Sequence, residues 1–299
     1  MANVVEIRSL TKAYGDVKAV DNVSFALEPN RIYGLLGRNG AGKTTIMHML
    51  SAQLIQTSGD IAVFGEAPYE NNRVLSQLCF IKESQKYPES SKIADVLAFA
   101  AMTFPNWNQE LADRLMEDFR LPPKRRIKKL SRGMLSSVGI VVGLASRAPL
   151  TIFDEPYIGL DAVARGLFYD RLLEDYAEYP RTVILSTHLI DEVSQMLEHV
   201  LVIDQGRLVL DEEAESLRGR ALTVSGPLAK VNAFAAGYKE LDRQGLGSLC
   251  SATLLTNGSP EDVRARAELA GLEVATVSLQ QLIVQLTSGK MSRKADDAR

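Results

Sequence analysis

Apolar and polar positions along the 299-residue chain fall into short runs that change period several times. Three strand-like stretches open it, Val4–Ile7, Val23–Leu27 and Arg31–Leu36, separated by polar turns at Tyr14-Gly15-Asp16 and Glu28-Pro29-Asn30. The third runs into a glycine-rich loop, after which Thr44–Leu50 reads as the start of a helix, and Asp60–Phe64 as another strand. From about Ser91 to Ala145 the pattern turns helical, with Leu111, Leu115 and Phe119 at helical spacing. Two wholly apolar runs follow, Leu150–Phe153 and Thr182–Leu185, each leading into a helical pattern; in the second, Leu189, Val193, Met196 and Leu197 share one face. Unbroken apolar strands alternating with helices predict a parallel sheet covered on both sides. His199–Ile203 is a last strand, turning at Gln205-Gly206 into Arg207–Leu210.

Beyond about Leu217 the pattern restarts. Ala221–Ser225, Leu249–Thr256 and Leu272–Val277 read as strands. Ser259-Pro260-Glu261-Asp262 reads as a helix start with Ser259 as cap and Asp262 returning the bond, and Gly271 as its end. Leu279, Leu282, Ile283 and Leu286 mark a final amphipathic helix. These elements predict a small α+β domain over 218–289, and the polar stretch Lys290–Arg299 reads as disordered.

Composition adds exclusions. With 46% hydrophobic and 24% charged residues the chain can bury a sizeable core. A net charge of −3 gives no electrostatic case for nucleic acid, so none is expected as partner. The basic run Lys124–Lys129 is read as a solvated loop. The longest apolar run, Val138–Ala145, falls far short of the roughly 20 residues that span a bilayer, and the N-terminus shows no secretion signal. Cys79 and Cys250 lack any CxxC spacing and read as reduced core thiols of a cytosolic protein.

The chemistry concentrates in two motifs. Gly37-Arg38-Asn39-Gly40-Ala41-Gly42-Lys43-Thr44 fits G-x-x-x-x-G-K-[ST] at every fixed position, between a predicted strand and a predicted helix. Its backbone N–H groups, from Arg38, Asn39, Gly40, Ala41 and Gly42 through to Thr45, would converge on a phosphate at the positive end of a helix. Lys43 would neutralise the β- and γ-phosphates and Thr44 would coordinate Mg²⁺. Leu150–Phe153 then delivers Asp154 and Glu155 at the carboxyl end of a buried strand. Asp154 would complete the metal shell and Glu155 would polarise an attacking water. The two motifs together predict a nucleoside triphosphatase.

A set of shorter motifs, in order from Val4 to about Leu217, resembles the ATP-binding cassette (ABC) ATPases. Tyr14 matches the aromatic that stacks on adenine in that family. Leu130-Ser131-Arg132-Gly133-Met134 stands where the signature LSGGQ would be, so that Ser131 and Gly133 would contact the nucleotide of a second copy. Ile158-Gly159-Leu160-Asp161 resembles the loop that couples the two sites, and His188 the histidine on the γ-phosphate. Glu83 stands where most members carry a metal-facing glutamine, with Gln85 as the other candidate for that position. Glu83, Phe104-Pro105-Asn106-Trp107-Asn108 and the altered signature resemble one bacterial subgroup, the lantibiotic and bacitracin-type exporters and the cassettes encoded beside GntR-type regulators. Arg132 and Met134 depart from the family pattern, and Arg132 either points away from the nucleotide or adds charge to its site.

The resemblance implies a P-loop NTPase core with a mainly parallel sheet, an N-terminal antiparallel β subdomain and an inserted helical subdomain at about 84–146, together filling residues 1–217. It implies ATP and Mg²⁺ as ligands, a homodimer or heterodimer of cassettes, and a separate transmembrane permease. A groove beside the Glu83 loop would receive that permease, holding the chain on the inner face of the membrane. The expected function is the motor of an exporter. A soluble ABC ATPase acting on ribosomes or DNA, or a regulatory cassette with little hydrolysis, is the alternative; one glycine loop and no long heptad run count against the former.

Overall fold

The computed structural model describes residues 2–83, 85–256 and 259–286. Lys290–Arg299, read from the sequence as disordered, lies outside them. The contacts divide the chain into two compact units. One comprises 1–188 with 196–211, the other 189–195 with the residues from 212 onward.

In chain order the first unit begins with β1 (Val5–Tyr14) and β2 (Val17–Leu27), a long antiparallel hairpin turning at Gly15, followed by β3 (Ile32–Leu36) and α1 (Lys43–Leu50). β4 (Ser58–Val63) pairs with β1, giving a three-stranded antiparallel sheet in the order β2-β1-β4. A short α2 (Asn72–Leu75) leads to β5 (Leu78–Lys82). The helical stretch then comprises α3 (Ile93–Thr103), α4 (Gln109–Asp118), a 3₁₀ turn at Ile127–Lys129 and α5 (Arg132–Ala145). β6 (Leu150–Asp154), α6 (Ala162–Glu178) and β7 (Thr182–Thr187) complete the alternation.

After α7 (Ile190–Val193) come β8 (His199–Asp204) and β9 (Arg207–Glu213). The main sheet has six strands in the order β5-β6-β7-β3-β8-β9, and every pairing from β5 through β8 is parallel. β3, β6 and β7 are buried at every position, which is why their apolar residues run consecutively rather than alternating with polar ones. β1 and β2 are longer than the apolar pattern predicts, because their far halves carry polar residues on an exposed face. The helix predicted across Leu189–Leu197 is shorter than expected. α7 is a single turn ending at Val193, and Met196 and Leu197 are buried from the turn that returns the chain to β8.

Besides α7, the second unit holds α8 (Ala214–Leu217), β10 (Ala221–Pro227), α9 (Leu228–Ala235), β11 (Lys239–Leu246), β12 (Leu249–Leu255), α10 (Pro260–Leu269) and β13 (Glu273–Thr276). Its four strands form an antiparallel sheet in the order β11-β12-β10-β13. Val224, Val231, Ala252, Leu254 and Ala267 fill its core. Residues 279–286 are helical, with Leu279, Leu282 and Ile283 buried as their spacing predicts. Gly271 follows the end of α10 in the left-handed region, at φ 72°. The cap at the other end differs from expectation. Ser259 holds the cap position but makes no side-chain bond; its carbonyl accepts from Val263 N–H at 3.3 Å, while Pro260 brings no donor. Cys79 and Cys250 are both buried free thiols, and burial pushes that of Cys79 up to about 12.

One element of the core is polar. Arg181 is 1% exposed and pairs with Asp175 Oδ2 at 2.6 Å, while Arg147 holds Asp175 Oδ1 at 2.6 Å. Arg181 Nε also donates to Thr151 Oγ1 at 3.3 Å, so the network ties α6 to β6. Asp175→Ala leaves Arg181 buried without its counter-charge, and urea unfolding should show a loss of about 3–5 kcal/mol. A loss below about 1 kcal/mol would show that the pair does not hold the core.

Candidate functional site

The glycine loop joins the carboxyl end of β3 to the first turn of α1, and the neighbouring strands decide its shape. Gly42 sits at φ 110°, and a Cβ there would come within 2.5 Å of the carbonyl oxygen of Ala19, so neither the conformation nor the space admits a side chain. The loop therefore packs closely on β2 at Gly42, and within the loop the Ala41 N–H donates to the Arg38 carbonyl at 3.1 Å. Lys43 folds back over it, its ammonium donating to the carbonyls of Gly37 at 2.8 Å and Arg38 at 3.2 Å. It is 5% exposed. Burial lowers its pKa, and the nearby Glu155 and Asp154 carboxylates act in the opposite direction.

The parallel pairing of β6 with β7 brings the second motif to the same place. Thr44 Oγ1 donates to Asp154 Oδ2 at 2.7 Å, across 110 residues of sequence. Hydroxyl and carboxylate are the hard oxygen donors that suit Mg²⁺, so the pair fits the metal that the resemblance implies. Glu155 leaves the strand in the left-handed region at φ 47°, an uncommon conformation for a side-chain-bearing residue. Its Oε2 lies 3.0 Å from Nδ1 of His188, which follows β7.

Together these residues line an open pocket of ≈ 570 Å³ whose wall includes Asn39 to Thr45, Glu83, Asp154, Glu155 and His188. Tyr14, Arg38, Ser131 and Gly133 are not among the described residues that line it. Tyr14 is 53% exposed at the end of β1, with Lys12 Nζ 5.2 Å from its ring centre. Of the two candidates for the metal-facing loop position, Glu83 reaches this pocket, and Gln85 lines a different groove.

The signature residues sit at the start of α5. Ser131 is its N-cap, accepting from the Met134 N–H at 3.2 Å. Gly133 packs so closely on the loop Ile158–Asp161 that an added Cβ would lie 2.4 Å from the Gly159 carbonyl oxygen, and Ser136 Oγ donates to Ile158 O at 2.7 Å. The signature and the coupling loop are thus one packed unit within the chain. Arg132, whose direction the sequence leaves open, pairs with the Glu83 carboxylate. Both side chains are substantially exposed, and such a pair contributes at most about 1 kcal/mol, so either partner gives it up readily to a stronger one.

Two residues at or against the site are absent from the sequence reading, Ala19 in the pocket wall and Tyr157 against His188. Tyr157 is 3% exposed, and its hydroxyl lies 2.8 Å from Thr187 Oγ1 and 3.2 Å from His188 Nδ1. No periodicity or charge marks it. Its place inside the Asp154–Asp161 turn was the available signal.

Comparison with known proteins shows the family. The family model described as ABC transporter matches residues 20–158. The chain is 32% identical to the bacitracin transport ATP-binding protein BcrA of Bacillus licheniformis over 224 residues, covering 74% of this chain and 73% of that one. It is 30% identical to the Nod factor export ATP-binding protein I of Cupriavidus metallidurans over 223 residues, with 73% of each chain covered. A solved ATP-binding subunit of an ABC transporter superposes with a TM-score of 0.65 at 24% identity, over 72% of this chain and 91% of that one, a likeness of fold. By sequence likeness over roughly three quarters of chains in two separate transport systems, this protein belongs to the ABC transporter family as an ATP-binding subunit, an ATPase.

Proposed function

We propose that this chain is the motor of an exporter. It would bind MgATP in the glycine loop, close head to tail on a second cassette, hydrolyse the nucleotide and so drive a separate membrane-spanning permease. One observation carries this reading. The Thr44–Asp154 contact places both oxygen donors, the Lys43 ammonium and the Glu155–His188 pair around a single pocket.

Each group has a task there. The loop N–H groups and Lys43 hold the phosphates, and Tyr14 stacks on adenine. Thr44 and Asp154 would hold Mg²⁺, with Glu83 reaching it through water; the ion, when bound, supplies neutralisation of the phosphate charge. Glu155 takes the proton of the attacking water, and His188 contacts the γ-phosphate. Ser131 and Gly133 stand outside their own pocket at the start of a helix, which suits a role over the phosphate of a second copy.

Export is supported by one relative, the Nod factor export ATP-binding protein I. Among the described residues no helix is long and apolar enough to cross a membrane, and the proposal gives the membrane step to a separate permease. A groove of ≈ 550 Å³ beside the Glu83 loop offers that partner a seat. It is lined by Phe80, Tyr87, Val96, Phe99 and Phe104 among others, and Phe99 and Met102 on α3 stand 67% and 80% exposed. Exposed apolar side chains clustered at a groove suit an amphipathic helix.

Affinity capture of the tagged chain from detergent-solubilised membranes of its host tests the reading. An integral membrane protein should come with it in near-equal amount. Phe99→Glu, at an exposed position, should cut that recovery severalfold while nucleotide affinity is unchanged. Capture of ribosomes or DNA, with no membrane protein, would overturn transport and leave only the ATPase.

A further inference from the structure

The Glu155–His188 contact leaves a problem of protons that Tyr157 resolves. A neutral imidazole carries one N–H. In this structure Nδ1 of His188 faces Glu155 Oε2 at 3.0 Å, and an ionised carboxylate only accepts, so a neutral ring making this contact has its proton on Nδ1 and leaves Nε2 a bare acceptor. A bare Nε2 repels phosphate oxygens, which also only accept. To contact a γ-phosphate as a neutral ring, His188 must donate from Nε2, and Nδ1 must then accept from another group.

Tyr157 is that group by position. Its hydroxyl oxygen lies 3.2 Å from Nδ1 and accepts the His188 backbone N–H, also at 3.2 Å. Thr187 Oγ1 lies 2.8 Å from it, either oxygen able to donate, and when the threonine donates the phenolic proton can turn to Nδ1. The ring is buried against the imidazole, with centroids 5.8 Å apart, so the hydroxyl is held in place by packing.

We propose that Tyr157 is a positioning residue for hydrolysis: donating to Nδ1, it sets His188 as the Nε2–H tautomer when Glu155 turns from the histidine to the attacking water. This rests on the reading of His188 as the γ-phosphate contact. Tyr157 is not among the residues that line the pocket, so it would act through His188. It accommodates both states of the histidine, accepting while Glu155 holds Nδ1–H and donating once Glu155 has left.

The test reads the tautomer directly. The chain has three histidines, few enough to assign by ¹⁵N-histidine labelling of the full-length protein. With Mg²⁺ and a non-hydrolysable ATP analogue bound, His188 should show a protonated Nε2 and an accepting Nδ1. Tyr157→Phe, which keeps the ring, should shift it toward the other tautomer. In the same variant kcat should fall on the order of tenfold with KM for ATP within about twofold. A wild-type histidine protonated at Nδ1 or at both nitrogens would overturn the proposal without need of any variant. So would a Tyr157→Phe protein whose kcat falls while the tautomer stays as in wild type, since that outcome leaves Tyr157 only a packing role. If the analogue fails to move the His188 resonances at all, the γ-phosphate contact is what fails, and Tyr157 loses its task with it.

Discussion

Lys43→Ala should bind ATP at least a hundredfold more weakly than the wild-type chain, by calorimetry or fluorescent-nucleotide titration. The lysine is buried and already held at the loop by two carbonyls, so a bound phosphate finds its charge in place without reorganisation. Each charge-assisted bond to a phosphate oxygen contributes about 1.5–3 kcal/mol, and two such bonds correspond to roughly 10²–10⁴ in affinity. The fold should survive the change. Burial disfavours the charged form of Lys43, so alanine there removes a group whose placement is itself costly. Unaltered melting with lost binding isolates the effect to the phosphate site. Wild-type affinity in this variant would sink the assignment of the loop.

Glu155→Gln separates binding from turnover. Glutamine is close in shape and inherits the left-handed turn at φ 47°, so the pocket keeps its form. It cannot take a proton from water. Hydrolysis should fall by about 10²–10⁴, the usual contribution of a general base, while ATP affinity stays near wild type. With turnover blocked, two cassettes that close on ATP should remain closed, and light scattering should show a dimer that appears with ATP and vanishes without it. Unchanged hydrolysis would remove Glu155 from its role. Blocked hydrolysis without a dimer would leave the chemistry intact and remove the head-to-tail arrangement.

Much of this site is legible in the chain because its chemistry is local. The glycine loop needs consecutive N–H groups before a helix, and Asp154 and Glu155 need only the end of a buried strand, so adjacency in sequence carries the signal. Burial on both faces is equally local, since the middles of β6 and β7 announce it by consecutive apolar residues, Ile152-Phe153 and Val183-Ile184-Leu185. The second unit is less legible. β11, with its sequence KELDRQGL, alternates no apolar face, and it forms because β12 offers it an edge. Arg181 reads as a surface residue, and only the fold supplies Asp175 to bury it with.

The sequence by itself determined the nucleotide chemistry, the alternating α/β core and the absence of a long apolar run, because each depends on residues within one or two turns of one another. The tertiary structure alone decided which of Glu83 and Gln85 faces the pocket, where Arg132 points and what holds His188. Glu83 and Arg132 are 49 positions apart, and Tyr157 and His188 are 31. Such pairs meet through the parallel register of Asp154 with Ser186 and the packing of α5 on its neighbours. No periodicity along a chain encodes a distance between two strands. That distance is set when the sheet closes and its buried faces exclude water.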